Sequence, residues 1–161
     1  MDTLLNSVTG LPTSVLVEEQ VERVAKTPKL SLIGISLHGM EAFSDVYGFV
    51  THDDVLRAVA LILRNTSTEV MSSEPFVGQL EIYKFLVVAP AGQEGYVVMG
   101  RLDQRLNEAI SFFYPHKDWE SGQRSDGSPL PRISFDLKLI PSDQLPQEGG
   151  LVRLREMLFE E

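Results

Sequence analysis

The sequence contains no cysteine, no long uncharged apolar run and no N-terminal segment with a cationic start followed by an apolar stretch. The absence of cysteine excludes a disulfide framework. The absence of a run of about 18 apolar residues argues against a membrane-spanning helix, and the N-terminal pattern predicts no signal peptide. We therefore expect a cytoplasmic protein without membrane insertion.

Positive charge is also scarce, because 14 lysine and arginine residues stand against 23 aspartate and glutamate residues. The formal net charge of -9 repels nucleic acid and anionic lipid unless basic side chains cluster. The basic residues are scattered, and Arg153 and Arg155 form the closest arginine pair. The sequence therefore predicts no nucleic-acid partner.

The apolar residues alternate between helical and strand spacing along all 161 residues, which predicts a single domain over 1–161. Strands that alternate with helices favour an α/β sandwich whose sheet is covered by helices. The first predicted elements are an N-terminal loop at 6–14, a helix at 15–26 with Ser14 as its N-cap, and a strand at 30–37. A short helix at 39–48, closed by a glycine, and a long helix from 51 or 52 follow. The remaining elements are strands at 77–80 and 85–88, a helix from 95 to about 113, a strand at 132–140 and a helix at 151–159.

Two segments stand out within this pattern. The stretch VGQLEIYKFLVV, residues 77–88, predicts a hairpin, although its centre lacks the Gly, Asn or Asp that tight hairpin turns prefer. Residues 115–131 are polar, contain Gly and Pro, and predict a long, exposed and poorly ordered loop. Trp119 lies in this loop, where an exposed aromatic ring is a candidate contact residue.

Three motifs, in order along the chain, resemble the GGDEF family of diguanylate cyclase domains in bacterial signalling. VTGLP at 8–12 is similar to the LTGLP that opens those domains. FSDVYG at 43–48, followed by Asp53, is similar to their IND-x-YGH-x-x-GD run. EIYKF at 81–85 stands where they carry the GGDEF signature. The resemblance implies an α+β fold with a mostly antiparallel or mixed sheet of about five strands between helices.

The resemblance also implies a degenerate site. Cyclases of this family hold divalent metal against GTP with an acid at the end of the first strand and another at the third signature position, where this chain has Ser36 and Tyr83. Neither a serine hydroxyl nor a phenol with an ordinary pKa of about 10 replaces those carboxylates. Glu81 and Ile82 replace the turn glycines, and Lys84 reverses the charge of the fourth position. We therefore expect no metal, no cofactor and no catalytic residue.

The remaining family positions are mixed. Ser44 stands where the family's guanine-contacting Asn would be, while Asp53 keeps an acid that can bind the guanine edge, although an acid in a helix first turn is also expected without any ligand. The RxxD product-inhibition motif falls on residues 72–75, SSEP, and is absent. Arg153 and Arg155 are the available basic residues near the C-terminal helix.

Three functions remain open at this stage. The first is a catalytically inactive, regulatory or protein-interaction module, with Glu81, Tyr83 and Lys84 as a contact surface, or as a solvated hairpin tip in which Glu81 and Lys84 form a weak ion pair. Its partner would be another protein, a fused sensor or receiver domain, or a second copy of the chain in a homodimer. The second is a sensor that binds GTP or another purine nucleotide through Ser44 and Asp53. The third is an enzyme of unrelated chemistry on the same fold.

Overall fold

The computed structural model describes residues 4–145 and 150–159, which form an α+β fold around one sheet. Four strands lie in the order β2-β3-β1-β4, and every adjacent pair is antiparallel. The elements are α1 (Ser14–Ala25), β1 (Leu30–His38), α2 (Met40–Met71), β2 (Val77–Glu81), β3 (Lys84–Pro90), α3 (Gln93–Ala109), α4 (His116–Ser121), β4 (Ser134–Pro141) and α5 (Gly150–Phe159). The predicted arrangement of a sheet between helices is confirmed.

β1 is one of the two inner strands of the sheet, and all of its residues except the two terminal ones are buried, as its apolar run predicted. It pairs with β3 on one side and with β4 on the other. One face of the sheet packs against α2 and α3 around Phe43, Phe85 and Leu102. The other face packs against α1 and α5 around Val21 and Leu154. The sheet is therefore the middle layer of three.

The expected count of about five strands is wrong, because the described residues contain four. Two further stretches approach strand pairing but make isolated bridges, Leu5 with Pro12 and Gln123 with Pro129. After β4 the chain turns into a short 3-10 helix at Ser142–Gln144, so it adds no fifth strand at that edge. The sheet consequently keeps β2 and β4 as its two edges.

Residues 115–131, expected to be a poorly ordered loop, contain the helix α4 and a tight turn. The Tyr47 hydroxyl donates to Asp118 Oδ2 at 2.7 Å and attaches α4 to the start of α2. Arg124 N–H donates to Ser128 O at 2.8 Å and closes the turn that follows. A six-residue helix is too short to show a helical repeat in sequence, so the pattern did not predict it.

Two local expectations at helix ends can be compared with the backbone. Gly48 interrupts α2 with φ 88 and ψ 172, so the predicted break between a short and a long helix is confirmed. Ser14 is not the N-cap of α1: Thr13 occupies that position and makes no side-chain capping bond. The break at Gly48 is important for the site because it directs the next residues of α2 toward the β2–β3 hairpin.

Candidate functional site

The hairpin between β2 and β3 reverses through Ile82 and Tyr83. Neither residue has a positive φ. For Ile82 this agrees with its branched Cβ, which makes a positive φ unfavourable. Two-residue hairpins fit the strand twist best when their turn residues have positive φ, and here a register shift between Gln79 and Glu81 accompanies the turn. The turn is therefore shaped without the glycine conformations that the GGDEF signature offers.

The side chain of Gln79 supports this turn from inside the fold. Gln79 is 1% exposed, and its Nε2 donates to Ile82 O at 3.0 Å. Its Oε1 accepts from Thr9 Oγ1 at 2.6 Å, and its backbone N–H donates to Pro12 O at 2.9 Å. Thr9 and Pro12 belong to the VTGLP motif, so this motif packs directly against the hairpin and fixes its position.

A chain of hydrogen bonds links the start of the second half of α2 to the hairpin turn. His52 Nδ1 lies 2.9 Å from Asp53 Oδ1, and His52 Nε2 lies 2.9 Å from the Tyr83 hydroxyl. A carboxylate can only accept, so Nδ1 carries a proton, and a neutral imidazole then accepts the Tyr83 proton at Nε2. The His52 side chain is 10% exposed. One buried imidazole, that of His52, therefore forms hydrogen bonds with both Asp53 and Tyr83.

The phenol at the end of this chain is electrostatically biased toward its protonated form. Burial raises the pKa of Tyr83 above its usual value, and the charges of Glu41 and Asp53 raise it further. The ring is partly buried and packs against the core cluster below α2. Tyr83 thus points inward, and Ile82, 56% exposed, is the apolar side chain at the tip of the hairpin.

Ser36 lies near the end of β1 and has different neighbours from Tyr83. Its Cα partners are Lys84 in β3 and Asp136 in β4, and residues directly opposite in a sheet share a face. Asp136 Oδ2 lies 2.9 Å from His38 Nε2. Ser36 itself is 6% exposed. The structure therefore brings Ser36 next to a lysine, while Tyr83 turns toward His52.

The other predicted residues are spread around the hairpin. Ser44 lies on the short first part of α2 and is partly exposed. Glu81 Oε2 lies 3.6 Å from Arg155 Nε of α5, so the acid of the hairpin forms an ion pair with α5. The Arg153 side chain lies outside the described part of the structure. Within the described part, Arg155 is directed to Glu81.

These residues do not fit the divalent metal of a cyclase. Mg²⁺ prefers carboxylate oxygens, whereas Ser36 supplies a hydroxyl and Tyr83 a protonated phenol that bonds to His52. Lys84 adds a positive charge directly across from Ser36. Over residues 4–145 and 150–159 no group of three His, Asp or Glu side chains is arranged to hold a metal ion.

Exposed apolar side chains surround the same hairpin. Phe49 is 79% exposed and Val50 is 76% exposed, and both directly follow the break at Gly48. The Phe49 ring lies 6.3 Å from the His52 ring, which in turn lies 5.7 Å from the Tyr83 ring. The ring contacts place Phe49 on the same side of the hairpin as Tyr83, and exposed apolar groups are candidates for an interaction surface. We call Phe49, Val50 and Ile82 the hairpin face.

A cavity lies at the end of the sheet opposite the hairpin turn. It has a volume of about 560 Å³ and is lined by apolar side chains, including Phe76 and Val97, together with Arg23, Glu74 and Glu94. Its lining includes Leu30 of β1 and Pro90 of β3, and Pro90 is at the end of β3 opposite the hairpin turn. None of the residues that line this cavity belongs to the hairpin face.

Sequence reasoning identified Tyr83 and Asp53 but did not identify what connects them. The connecting residue is His52, and Phe49 and Gln79 complete the surroundings of the hairpin. His52 is adjacent to Asp53 in sequence but 31 residues from Tyr83. Only the packing of α2 against the hairpin brings this pair together. His52 is on α2 and Tyr83 is on the hairpin, so no short sequence motif contains both residues.

Among the helices within 4–145 and 150–159, none has both the length and the apolar character required to cross a bilayer. No family model matches the chain, and no curated protein matches it.

Solved GGDEF domains resemble the chain over nearly its whole length. The GGDEF domain of DgcB from Caulobacter crescentus, in complex with c-di-GMP, has a TM-score of 0.65 at 16% identity, over 95% of this chain and 84% of that one. The FimX GGDEF domain from Pseudomonas aeruginosa has a TM-score of 0.65 at 14% identity, and the match covers 94% of this chain and 89% of that one. A sensory box/GGDEF family protein from Caulobacter crescentus has a TM-score of 0.55 at 23% identity, and the match covers 96% of this chain and 99% of that one. The predicted resemblance is confirmed: this chain has the fold of a GGDEF domain.

Proposed function

We propose that this chain is a degenerate GGDEF domain without diguanylate cyclase activity, which acts as a regulatory or protein-interaction module in bacterial cyclic di-GMP signalling. The observation that carries the proposal is the bond between the Tyr83 hydroxyl and His52 Nε2. This bond occupies the side chain at a metal-ligand position of the family. It also connects that position to Asp53, the candidate guanine acid, through one imidazole.

Charge supports the same proposal. Joining two GTP molecules requires carboxylates that hold metal ions against the triphosphates. The positions that would supply them carry Ser36, Tyr83 and Lys84. The chain as a whole has a net charge of -9, which opposes binding of a triphosphate that lacks compensating metal.

The hairpin face supports the interaction role. Phe49, Val50 and Ile82 together expose apolar area around a buried, hydrogen-bonded support. Glu81 and Lys84 flank this apolar centre, which matches the polar rim and apolar core of protein interfaces. The partner would be a cytoplasmic protein, a fused sensor or receiver domain, or a second copy of this chain.

A turnover assay tests the loss of catalysis. The purified chain is incubated with GTP and either Mg²⁺ or Mn²⁺, and the products are separated by liquid chromatography and mass spectrometry beside an active diguanylate cyclase. We expect no cyclic di-GMP from this chain. Formation of cyclic di-GMP that depends on enzyme concentration would overturn the proposal.

A charge placed in the hairpin face tests the interaction role. Ile82→Asp puts a carboxylate at the centre of the face, and Leu61→Asp is the matched control because Leu61 is also 56% exposed but lies on the long part of α2. Sedimentation velocity measures self-association, and titration calorimetry measures binding to candidate sensor or receiver domains. We expect Ile82→Asp alone to abolish association. Equal effects of both variants would contradict the assignment of the surface.

The alternative is a sensor that binds GTP without turning it over. Asp53 is 34% exposed at its side chain and retains lone pairs besides the one that accepts from His52. Calorimetric titration with millimolar GTP, with and without Mg²⁺, distinguishes the two roles. Heat that disappears in Asp53→Ala would favour the sensor, whereas no heat would favour the interaction module.

A further inference from the structure

An aromatic pocket lies on α4 and the turn that follows it. The pocket has a volume of about 210 Å³ and is lined by Tyr114, Trp119, Gly122, Pro129, Leu130 and Arg132. The Tyr114 and Trp119 rings lie 5.2 Å apart with an interplanar angle of 32°, and Trp119 is 42% exposed. The pocket therefore has an aromatic wall that solvent can reach.

The backbone around Arg132 is held rigidly. The Tyr114 hydroxyl donates to Pro131 O at 2.6 Å and accepts from Ile133 N–H at 3.0 Å, so one phenol fixes both neighbours of Arg132. Gly39 packs against the Arg132 carbonyl so closely that a Cβ there would lie 1.9 Å from the oxygen. The cationic side chain is therefore presented from a fixed main chain, which reduces the ordering cost of binding.

The acids near this pocket are engaged elsewhere. Asp118 accepts from Tyr47, Glu120 lies 2.9 Å from His116, and Asp126 accepts from Ser128. Within the described ranges no carboxylate forms an ion pair with Arg132. The guanidinium therefore remains available to an external anion.

We propose that this pocket binds a small aromatic carboxylate, with its ring against Trp119 and its carboxylate on Arg132. Guanidinium groups bind carboxylates through two parallel hydrogen bonds, and aromatic rings prefer offset or tilted stacking on one another. The volume is below the range of drug-sized ligands, which limits the ligand to about one ring with its acid group. This site is separate from the hairpin face and stands independently of the proposed function.

The single tryptophan of the chain makes the test direct, because intrinsic indole fluorescence and the one indole N–H resonance both report on Trp119. Benzoate is the probe, titrated into the full chain. Benzamide lacks the charge, cyclohexanecarboxylate lacks the ring, and benzylammonium reverses the charge. We expect benzoate to cause saturable changes in fluorescence and in the indole resonance. Benzamide and cyclohexanecarboxylate should each bind at least tenfold more weakly than benzoate, and benzylammonium should not bind.

Two variants locate the site. Arg132→Gln should weaken benzoate binding at least tenfold, while Arg101→Gln, an exposed arginine on α3, should leave it unchanged. Circular dichroism and thermal unfolding establish that Arg132→Gln is folded, which is expected because Tyr114 holds that backbone through its own bonds. The proposal is overturned by an absence of saturable change, by benzamide binding as tightly as benzoate, or by unaltered affinity in Arg132→Gln.

Discussion

The bond between His52 and Tyr83 should be measurable as stability, and Tyr83→Phe removes it while preserving the ring. The variant leaves His52 Nε2 without the hydroxyl that lies 2.9 Å away, in a side chain that is 10% exposed. A buried polar group without its partner costs about 1–3 kcal/mol, and limited solvent access places this case at about 1–2 kcal/mol. For a domain of this size, that corresponds to a decrease in Tm of roughly 2–8 °C.

Equilibrium unfolding in urea, followed by Trp119 fluorescence and circular dichroism, provides the free energy of unfolding. A double-mutant cycle with Tyr83→Phe and His52→Ala separates the pair from each residue's other contacts, and we expect a coupling of about 1 kcal/mol. Tyr96→Phe is the matched control, since Tyr96 is 53% exposed on α3 and its variant should stay within about 0.5 kcal/mol of the parent. Equal losses in Tyr83→Phe and Tyr96→Phe, or zero coupling, would refute this reasoning.

Three other predictions concern the framework. Gly39→Ala should cost more than about 3 kcal/mol by urea unfolding, because its Cβ would overlap a backbone carbonyl at 1.9 Å, whereas Gly127→Ala, with φ +86 and nothing within 4 Å, should cost about 1–2 kcal/mol. Thr9→Val should cost about 1–3 kcal/mol by the same assay, since it leaves Gln79 Oε1 unpaired while buried. Burial and the bond to Asp118 raise the pKa of Tyr47 to about 12, so stability should fall as pH rises from about 10 to 12, and Tyr47→Phe should flatten that fall.

The sign of the last prediction follows from the folded state favouring the protonated phenol. Its stabilisation is complete below the unfolded-state pKa of about 10 and is lost as the pH passes through the folded-state value. A steeper fall in Tyr47→Phe than in the parent would contradict it. Equal costs for Gly39→Ala and Gly127→Ala would contradict the carbonyl overlap, and a neutral Thr9→Val would contradict the Gln79 support.

Sequence pattern predicted most of the fold because the strongest signals are local. The apolar run of β1, the helical spacing in α1 and α3, and the break at Gly48 each depend on neighbouring residues. The helix α4, within residues 115–131, is an exception that local spacing did not predict. α4 is too short for a repeat, and its position depends on the Tyr47–Asp118 bond, 71 residues apart in sequence.

The candidate site was predictable in its residue types but not in its contacts. The motif resemblance places Ser36 and Tyr83 where GGDEF cyclases carry acids, and this placement remains a prediction that requires only the order of the motifs along the chain. The inward direction of Tyr83 depends on its hydrogen bond with His52. The turn depends on Gln79, which forms a hydrogen bond with Thr9, 70 residues earlier in the sequence. Contacts of that sequence separation are properties of the packed fold, so no local pattern reveals them.

Metal binding at the hairpin tests the central claim most directly. Electron paramagnetic resonance of Mn²⁺ with GTP is recorded with the parent chain and with a variant that carries both Ser36→Asp and Tyr83→Asp. The parent should leave the Mn²⁺–GTP spectrum unchanged, because a hydroxyl and a hydrogen-bonded phenol replace the carboxylates. Immobilised Mn²⁺ in the parent chain, at an affinity equal to that of the double variant, would contradict the account.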